Sequence, residues 1–151
     1  ALVQDLLSIY RGSVKRRQLR LELALPDAPL IARGDKNVLY RVFDNLFSNA
    51  AKFSPRGGAI RLELGMDQHS VYLLVADQGP GVAEEHRGKV FEKFGIVELR
   101  QQQVVQLGFG LAFCKLAVEA HGGTIEIGGN QPQGATFLVR LPATSVTGKS
   151  G

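Results

Sequence analysis

Cysteine is almost absent. Cys114 is the single one in 151 residues, which excludes an internal disulfide framework and a cysteine-based zinc site and makes a reducing, cytoplasmic setting the default. Histidine is scarce too, and no two of His69, His86 and His121 have metal-ligand spacing. Long hydrophobic runs are missing. The longest, Val71 to Ala76, falls far short of the roughly 20 residues that cross a bilayer. With no secretory signal visible, the chain is expected to make no direct membrane contact. Neither charge sign dominates: 18 Lys+Arg against 14 Asp+Glu leave +4, spread along the chain. That weakly suits an anionic ligand and gives no argument for nucleic acid.

Apolar residues and glycine are plentiful. With 44% apolar residues and a mean hydropathy of zero, a chain of this length buries a core as one ordinary domain. Glycine reaches 18 residues, about 12% where about 7% is usual, and it sits in discrete clusters rather than in low-complexity sequence. Neither an internal repeat nor an internal linker is visible.

Periodicity predicts the elements. Leu2, Leu6, Ile9 and Tyr10 recur at helical spacing, so residues 1–16 read as an amphipathic helix ending in Lys15, Arg16 and Arg17. Leu19, Leu21, Leu23 and Leu25 alternate as a half-buried strand stopped by Pro26-Asp27. Asp35 is a good N-cap for a long helix over about 36–53. Ile60, Leu62 and Leu64 alternate, Asp67 to Ser70 supplies a turn, and Val71 to Asp77, apolar on both faces, belongs centrally in a sheet. Residues 83–94 carry short helical pieces. Residues 95–107, which include the Gln101-Gln102-Gln103 run, lack periodicity and read as a long loop. A helix over about 109–121 and two strands, Thr124 to Ile127 and Ala135 to Leu141, complete the pattern before a frayed tail.

The helix over 36–53 has two faces. Leu39, Val42, Phe43, Leu46, Phe47, Ala50 and Phe53 fall within an arc of about 140° and form the core stripe. Beside it Arg41, Asn45, Asn49 and Lys52 stand at i, i+4, i+8 and i+11, one above another along a single edge. Each mid-helix asparagine costs roughly 0.5 kcal/mol relative to alanine. An amide oxygen is a hard ligand suited to Mg²⁺ and a lysine one turn on can meet a phosphate, so the stripe suits either a metal-bound polyphosphate or a plain solvated face.

The glycine clusters admit similar pairs of readings. Asp77-Gln78-Gly79-Pro80-Gly81 puts a carboxylate at the end of a buried strand, where it can accept from an exocyclic amine while glycines admit a flat ring, or it is an ordinary turn. Gly108-Phe109-Gly110-Leu111 opens a helix, where free N–H groups can receive phosphate or where the chain simply needs unusual torsions. A Walker P-loop and a dinucleotide fingerprint are both excluded: Gly148-Lys149-Ser150 lacks the upstream glycine, and Phe113 stands where the third glycine would be. The three histidines read as surface or capping residues, and Cys114 as a buried apolar filler.

Taken in order, these pieces resemble the catalytic, ATP-binding domain of bacterial sensor histidine kinases, within the superfamily that also holds type II topoisomerase, mismatch-repair and chaperone ATPases. Asn45-Leu46-Phe47-Ser48-Asn49-Ala50-Ala51-Lys52-Phe53-Ser54 is similar to its asparagine box and Asp77-Gln78-Gly79-Pro80-Gly81 to its first glycine box. Phe91-Glu92-Lys93-Phe94 matches the phenylalanine box and Gly108-Phe109-Gly110-Leu111-Ala112 the second glycine box. His121-Gly122-Gly123-Thr124 and Gly134-Ala135-Thr136-Phe137 match the closing strands. The resemblance covers residues 1–142 as one ATP-binding domain, leaving 143–151 as a flexible tail.

It implies an α+β, two-layer sandwich of the Bergerat type: a mixed sheet, three helices on one face, and ATP held between the helices and a mobile lid. Asn49 would be the principal Mg²⁺ ligand, Asn45 its support, and Lys52 a phosphate contact. Asp77 would read the adenine amine with Thr136 near it, and Gly79 and Gly81 would wall the adenine. Gly108 and Gly110, in the box that Leu111 continues, would be lid hinge and phosphate cradle. Residues 95–107 would be the lid, with Arg100 its one cation for the γ-phosphate. Val104, Val105 and Leu107 make that lid more apolar than is usual in the family, which suits ordering against a partner.

Asn45 separates kinase from hydrolase. The ATPase members carry a glutamate four residues before the metal-binding asparagine, whereas an amide has no general-base capacity at neutral pH. Water is then a poor acceptor, and the expected nucleophile is a histidine on a separate dimerisation and phosphoacceptor domain, with a response-regulator receiver as the further partner. The competing expectations are a degenerate ATP-binding or regulator-docking module without catalysis, and a stand-alone ATPase. The expected location is cytoplasmic, with membrane anchoring of the parent protein left open.

Overall fold

Alternating apolar residues build the sheet, and helical spacing builds the layer that covers it. The computed structural model describes residues 2–27, 30, 32–103, 110–130 and 133–143, with the backbone alone for residues 2–6, 13, 93 and 94. In chain order it contains α1 (Leu2–Arg16), β1 (Arg20–Ala24), α2 (Lys36–Phe53), β2 (Ala59–Asp67) and β3 (Ser70–Ala76). Two single 3₁₀ turns, at Glu84–His86 and Lys89–Phe91, then lead into α3 (Lys93–Gln101), α4 (Leu111–Ala120), β4 (Thr124–Gly129) and β5 (Ala135–Pro142).

The five strands form one mixed sheet in the order β1-β2-β3-β5-β4, with β1 parallel to β2 and every other pair antiparallel. Register aligns Leu62, Val75, Phe137 and Ile127 across four strands on the face that meets the helices. The opposite face carries Arg61, Glu63, Tyr72, Glu126 and Arg140, where Arg61 pairs with Glu63 and Arg140 with Asp67 and Glu126. β3 is the central strand, as its composition predicts, and its Tyr72 and Leu74 remain half-buried on that polar face.

Helix α2 is the middle of the covering layer, with α1 on one side and α4 on the other. Its N-cap is Asp35, whose carboxylate accepts from the Asn37 and Val38 N–H groups. Tyr10 of α1 donates to the Asp44 carboxylate and rests its ring on Phe47. His121 caps α4 and accepts, at Nε2, the Asp35 N–H, tying the end of α4 to the start of α2. The three-helix layer over a mixed sheet is the expected sandwich. No helix among the described residues is long and apolar enough to cross a membrane.

The segment expected as a loop over 95–107 is different. Lys93–Gln101 is helical, because Ile96 and Leu99, one turn apart and each 1% exposed, enter the core. Arg100 lies in the last turn of this helix rather than in a loop. Val104, Val105, Leu107 and Gly108 lie outside the described residues, as does the tail from 144 onward.

Candidate functional site

The site begins where β3 ends. Asp77 is 5% exposed, and its Oδ1 accepts from the Gly79 N–H at 2.9 Å and the Ala135 N–H at 3.1 Å. Both bonds end on Oδ1, which leaves Oδ2 to accept from a ligand donor such as an exocyclic amine. Burial pushes the carboxyl above its ordinary 3.8, while the two N–H groups pull the other way. The turn behind it is pressed onto the C-terminal end of α2: a Cβ at Gly79 would lie 2.8 Å from the Phe53 carbonyl oxygen. Gly81 has a φ of +74°, and a Cβ there would meet the Gly134 carbonyl at 2.8 Å, so the backbones of the two glycine segments run against each other.

From Phe53 the polar edge of α2 runs away from Asp77. Lys52 is exposed, Asn49 is 5% exposed, and Asn45 is half-buried. Four helical residues advance about 6 Å, so Asn49 and Asn45 form successive steps along one edge of the helix. α4 begins against the second step: a Cβ at Gly110 would stand 2.2 Å from Asn45 Oδ1, so any larger residue would displace the amide. The N-cap of α4 is Gly110, which has no side chain to cap it, and the first N–H groups of such a helix can receive a ligand. Cys114, one turn further on, is fully buried, and its thiol is pushed up to about 12 by desolvation against a smaller pull from Asn45.

The structure thus places Asn45, Asn49 and Lys52 along one edge of α2, with Asp77 and Gly79 at its C-terminal end and Gly110 against Asn45. Two expected contacts are corrected. Thr136 does not stand beside Asp77: Ala135 occupies that place, and strand alternation turns Thr136 to the opposite face, where its hydroxyl donates to the Gly129 carbonyl at 2.9 Å. The Leu111 side chain is fully buried in the core, so only its backbone N–H can meet a ligand. Sequence reasoning missed Asn130, which donates to the Asp77 carbonyl at 2.7 Å and whose only sequence signal is a glycine- and asparagine-rich turn that any hairpin provides. Gly134, which opens the closing-strand match, is packed so that a Cβ would fall 1.9 Å from the same carbonyl.

A family model described as histidine kinase-, DNA gyrase B-, and HSP90-like ATPase matches residues 34–145, nearly three-quarters of the chain. The chain belongs to that family. It is 37% identical over 149 residues to the sensor histidine kinase TmoS of Ectopseudomonas mendocina, a match covering 97% of this chain and 15% of that protein. Among solved structures, the mycobacterial sensor histidine kinase MprB is similar at 30% identity and a TM-score of 0.75, over 95% of this chain and 96% of that one. Full-length ShkA, in complex with AMPPNP, is similar at 27% identity and a TM-score of 0.78, over 95% of this chain and 30% of that one. The ATPase-family fold and the resemblance to histidine kinase catalytic domains therefore stand, in a chain that spans about a seventh of TmoS.

Proposed function

We propose that this domain binds Mg-ATP between the polar edge of α2 and Asp77, and donates the γ-phosphate to a histidine on a separate dimerisation and phosphoacceptor domain. A response-regulator receiver would take the phosphate next. The observation that carries this reading is the pairing of Asp77, with Oδ2 left over, and an amide-lined helix edge leading away from it. Asp77 would accept from the adenine amine, Gly79 and Gly81 would border the ring, and Lys52 and the first N–H groups of α4 would meet the phosphates. ShkA, crystallised with an ATP analogue, supports the ligand class.

The residues fit magnesium. Asn49 offers a hard amide oxygen from a buried mid-helix position, and Asn45 offers a second one turn away. The described residues hold no group of three His, Cys, Asp or Glu side chains suited to a metal, so the fit is to an ion that takes one or two protein oxygens and completes its shell with phosphate and water. Mg²⁺, when bound, would supply charge neutralisation on the phosphoryl oxygens. The chain's own contribution is positioning: a rigid helix edge, an anchored purine reader and a helix start aimed at the groove.

Asn45 supports a histidine acceptor over water. An amide pressed against Gly110 takes no proton from water, so hydrolysis lacks its base, whereas an imidazole attacks without one. The test supplies the domain with a dimerisation hairpin from the same parent protein and radiolabelled ATP. Acid-labile label on the hairpin is expected; its absence under conditions where the domain binds ATP contradicts the reading, and rapid steady-state hydrolysis without acceptor favours an ATPase instead.

A further inference from the structure

The polar edge of α2 does not stop at Asn45. One turn further toward the helix N-terminus stands Arg41, exposed to solvent, with its guanidinium carbon 4.3 Å from the centre of the Phe113 ring. We propose that Arg41 is the cation that meets the terminal phosphate of the nucleotide, held at the far end of the groove by Phe113. This assignment rests on the nucleotide reading above and deepens it by fixing the direction in which the ligand lies.

Three observations carry it. The first is polarity of the groove: Asp77 and Gly79 abut the C-terminal end of α2 at Phe53, so a purine recognised there must extend its phosphates toward Asn49, Asn45 and then Arg41. Arg41 lies about 18 Å from Phe53 along the helix axis, on the scale of an extended nucleoside triphosphate. The second is convergence. Phe113 belongs to the first turn of α4, the same turn whose preceding Gly110 packs on Asn45, so the start of α4 meets the polar edge of α2 at both Asn45 and Arg41. The third is the way the side chain is held. The guanidinium carbon lies over the Phe113 ring, a contact that holds the side chain in place and engages none of its N–H donors with an acid, so they can make a bidentate contact with phosphate oxygens. No carboxylate among the described residues pairs with Arg41, whereas Arg61 and Arg140 are both committed to acids.

Arg41 also fills a role for which Arg100 was the expected residue. Arg100 sits on α3, an element anchored through Ile96 and Leu99, while Arg41 sits on the groove wall itself. A cation on a rigid helix needs no closing motion to reach its target, and a guanidinium can hold two oxygens of one phosphate at once, where an ammonium acts as a point charge.

Calorimetric titration of this domain in Mg²⁺ with a non-hydrolysable ATP analogue and, separately, with ADP tests the assignment. Arg41→Gln is expected to weaken the triphosphate by about 10-fold or more while leaving ADP within about 2-fold. Arg41→Lys should fall between, retaining charge without the fork. Phe113→Leu, with Arg41 intact, should weaken the triphosphate alone by about 2- to 5-fold. Unchanged ADP affinity shows that each variant is folded. Equal loss for both nucleotides, or no loss for either, overturns the assignment; unaltered binding with slowed phosphotransfer would move Arg41 to a contact with the acceptor chain and overturn it too. Wild-type protein that binds neither nucleotide would overturn the nucleotide reading itself, a result separable from all of these.

Discussion

If Asp77 reads the purine as proposed, one carboxyl group couples ligand recognition to stability. Burial raises its pKa, so the ionised acid carries a penalty that is absent below its ordinary 3.8 and accrues as pH rises through the folded value. Stability is therefore lost as pH rises across that window. Asp77→Asn keeps an acceptor for the Gly79 and Ala135 N–H groups but removes the charge, and it presents an amine where Oδ2 stood. Urea unfolding from about pH 3 to about pH 7 should show the variant gaining on the wild type as pH rises. At neutral pH the variant should bind the ATP analogue at least about 10-fold more weakly, through loss of one charged acceptor. Cys114 gives a second residue-scale test. Its thiol is buried and pushed up to about 12, so it should resist alkylation at mildly alkaline pH in the folded protein and label only as the domain unfolds.

Elements differ in how much of them the sequence reveals. The two faces of α2 are legible because an 18-residue helix repeats its pattern enough times for periodicity to show, and Asp35 marks its start. Asp35→Ala should cost about 1 kcal/mol by leaving the Asn37 and Val38 N–H groups without their acceptor. α3 is not legible. Nine residues with Ile96 and Leu99 inward, Val97 exposed and Gly95 and Gln101 at the margins give no clear period, and only docking onto the core settles the conformation. Ile96→Ala should cost about 2–5 kcal/mol if this helix is part of the core, as the structure has it, whereas the same change in an exposed loop would cost under about 0.5 kcal/mol. That Ala135 rather than Thr136 stands opposite Asp77 is not legible either, because register between strands so distant in sequence is not written in either strand. Arg41 and Phe113 meet through the packing of α2 on α4, which sequence spacing does not report either.

At the scale of the whole molecule, the sheet and its helix layer act as a frame that holds the two proposed recognition elements, Asp77 and the polar edge of α2, at a fixed separation. β3 delivers Asp77, α2 delivers the amide edge, and Gly79, Gly81 and Gly110 allow the connecting segments to lie against both. The motifs that resemble the family's boxes are the residues at these junctions, which is why their order along the chain was informative while each alone was not. Asn49→Ala should leave the frame intact and abolish the Mg²⁺-dependent part of nucleotide binding, read as loss of ligand-induced thermal stabilisation at saturating analogue. The most direct test of the account is a crystal structure of the domain grown with Mg²⁺ and a non-hydrolysable ATP analogue. It should show the purine amine on Asp77, the metal at the Asn49 amide and the terminal phosphate toward Arg41. Nucleotide lying elsewhere on the molecule, or reversed along α2 with its phosphates at Asp77, would contradict it.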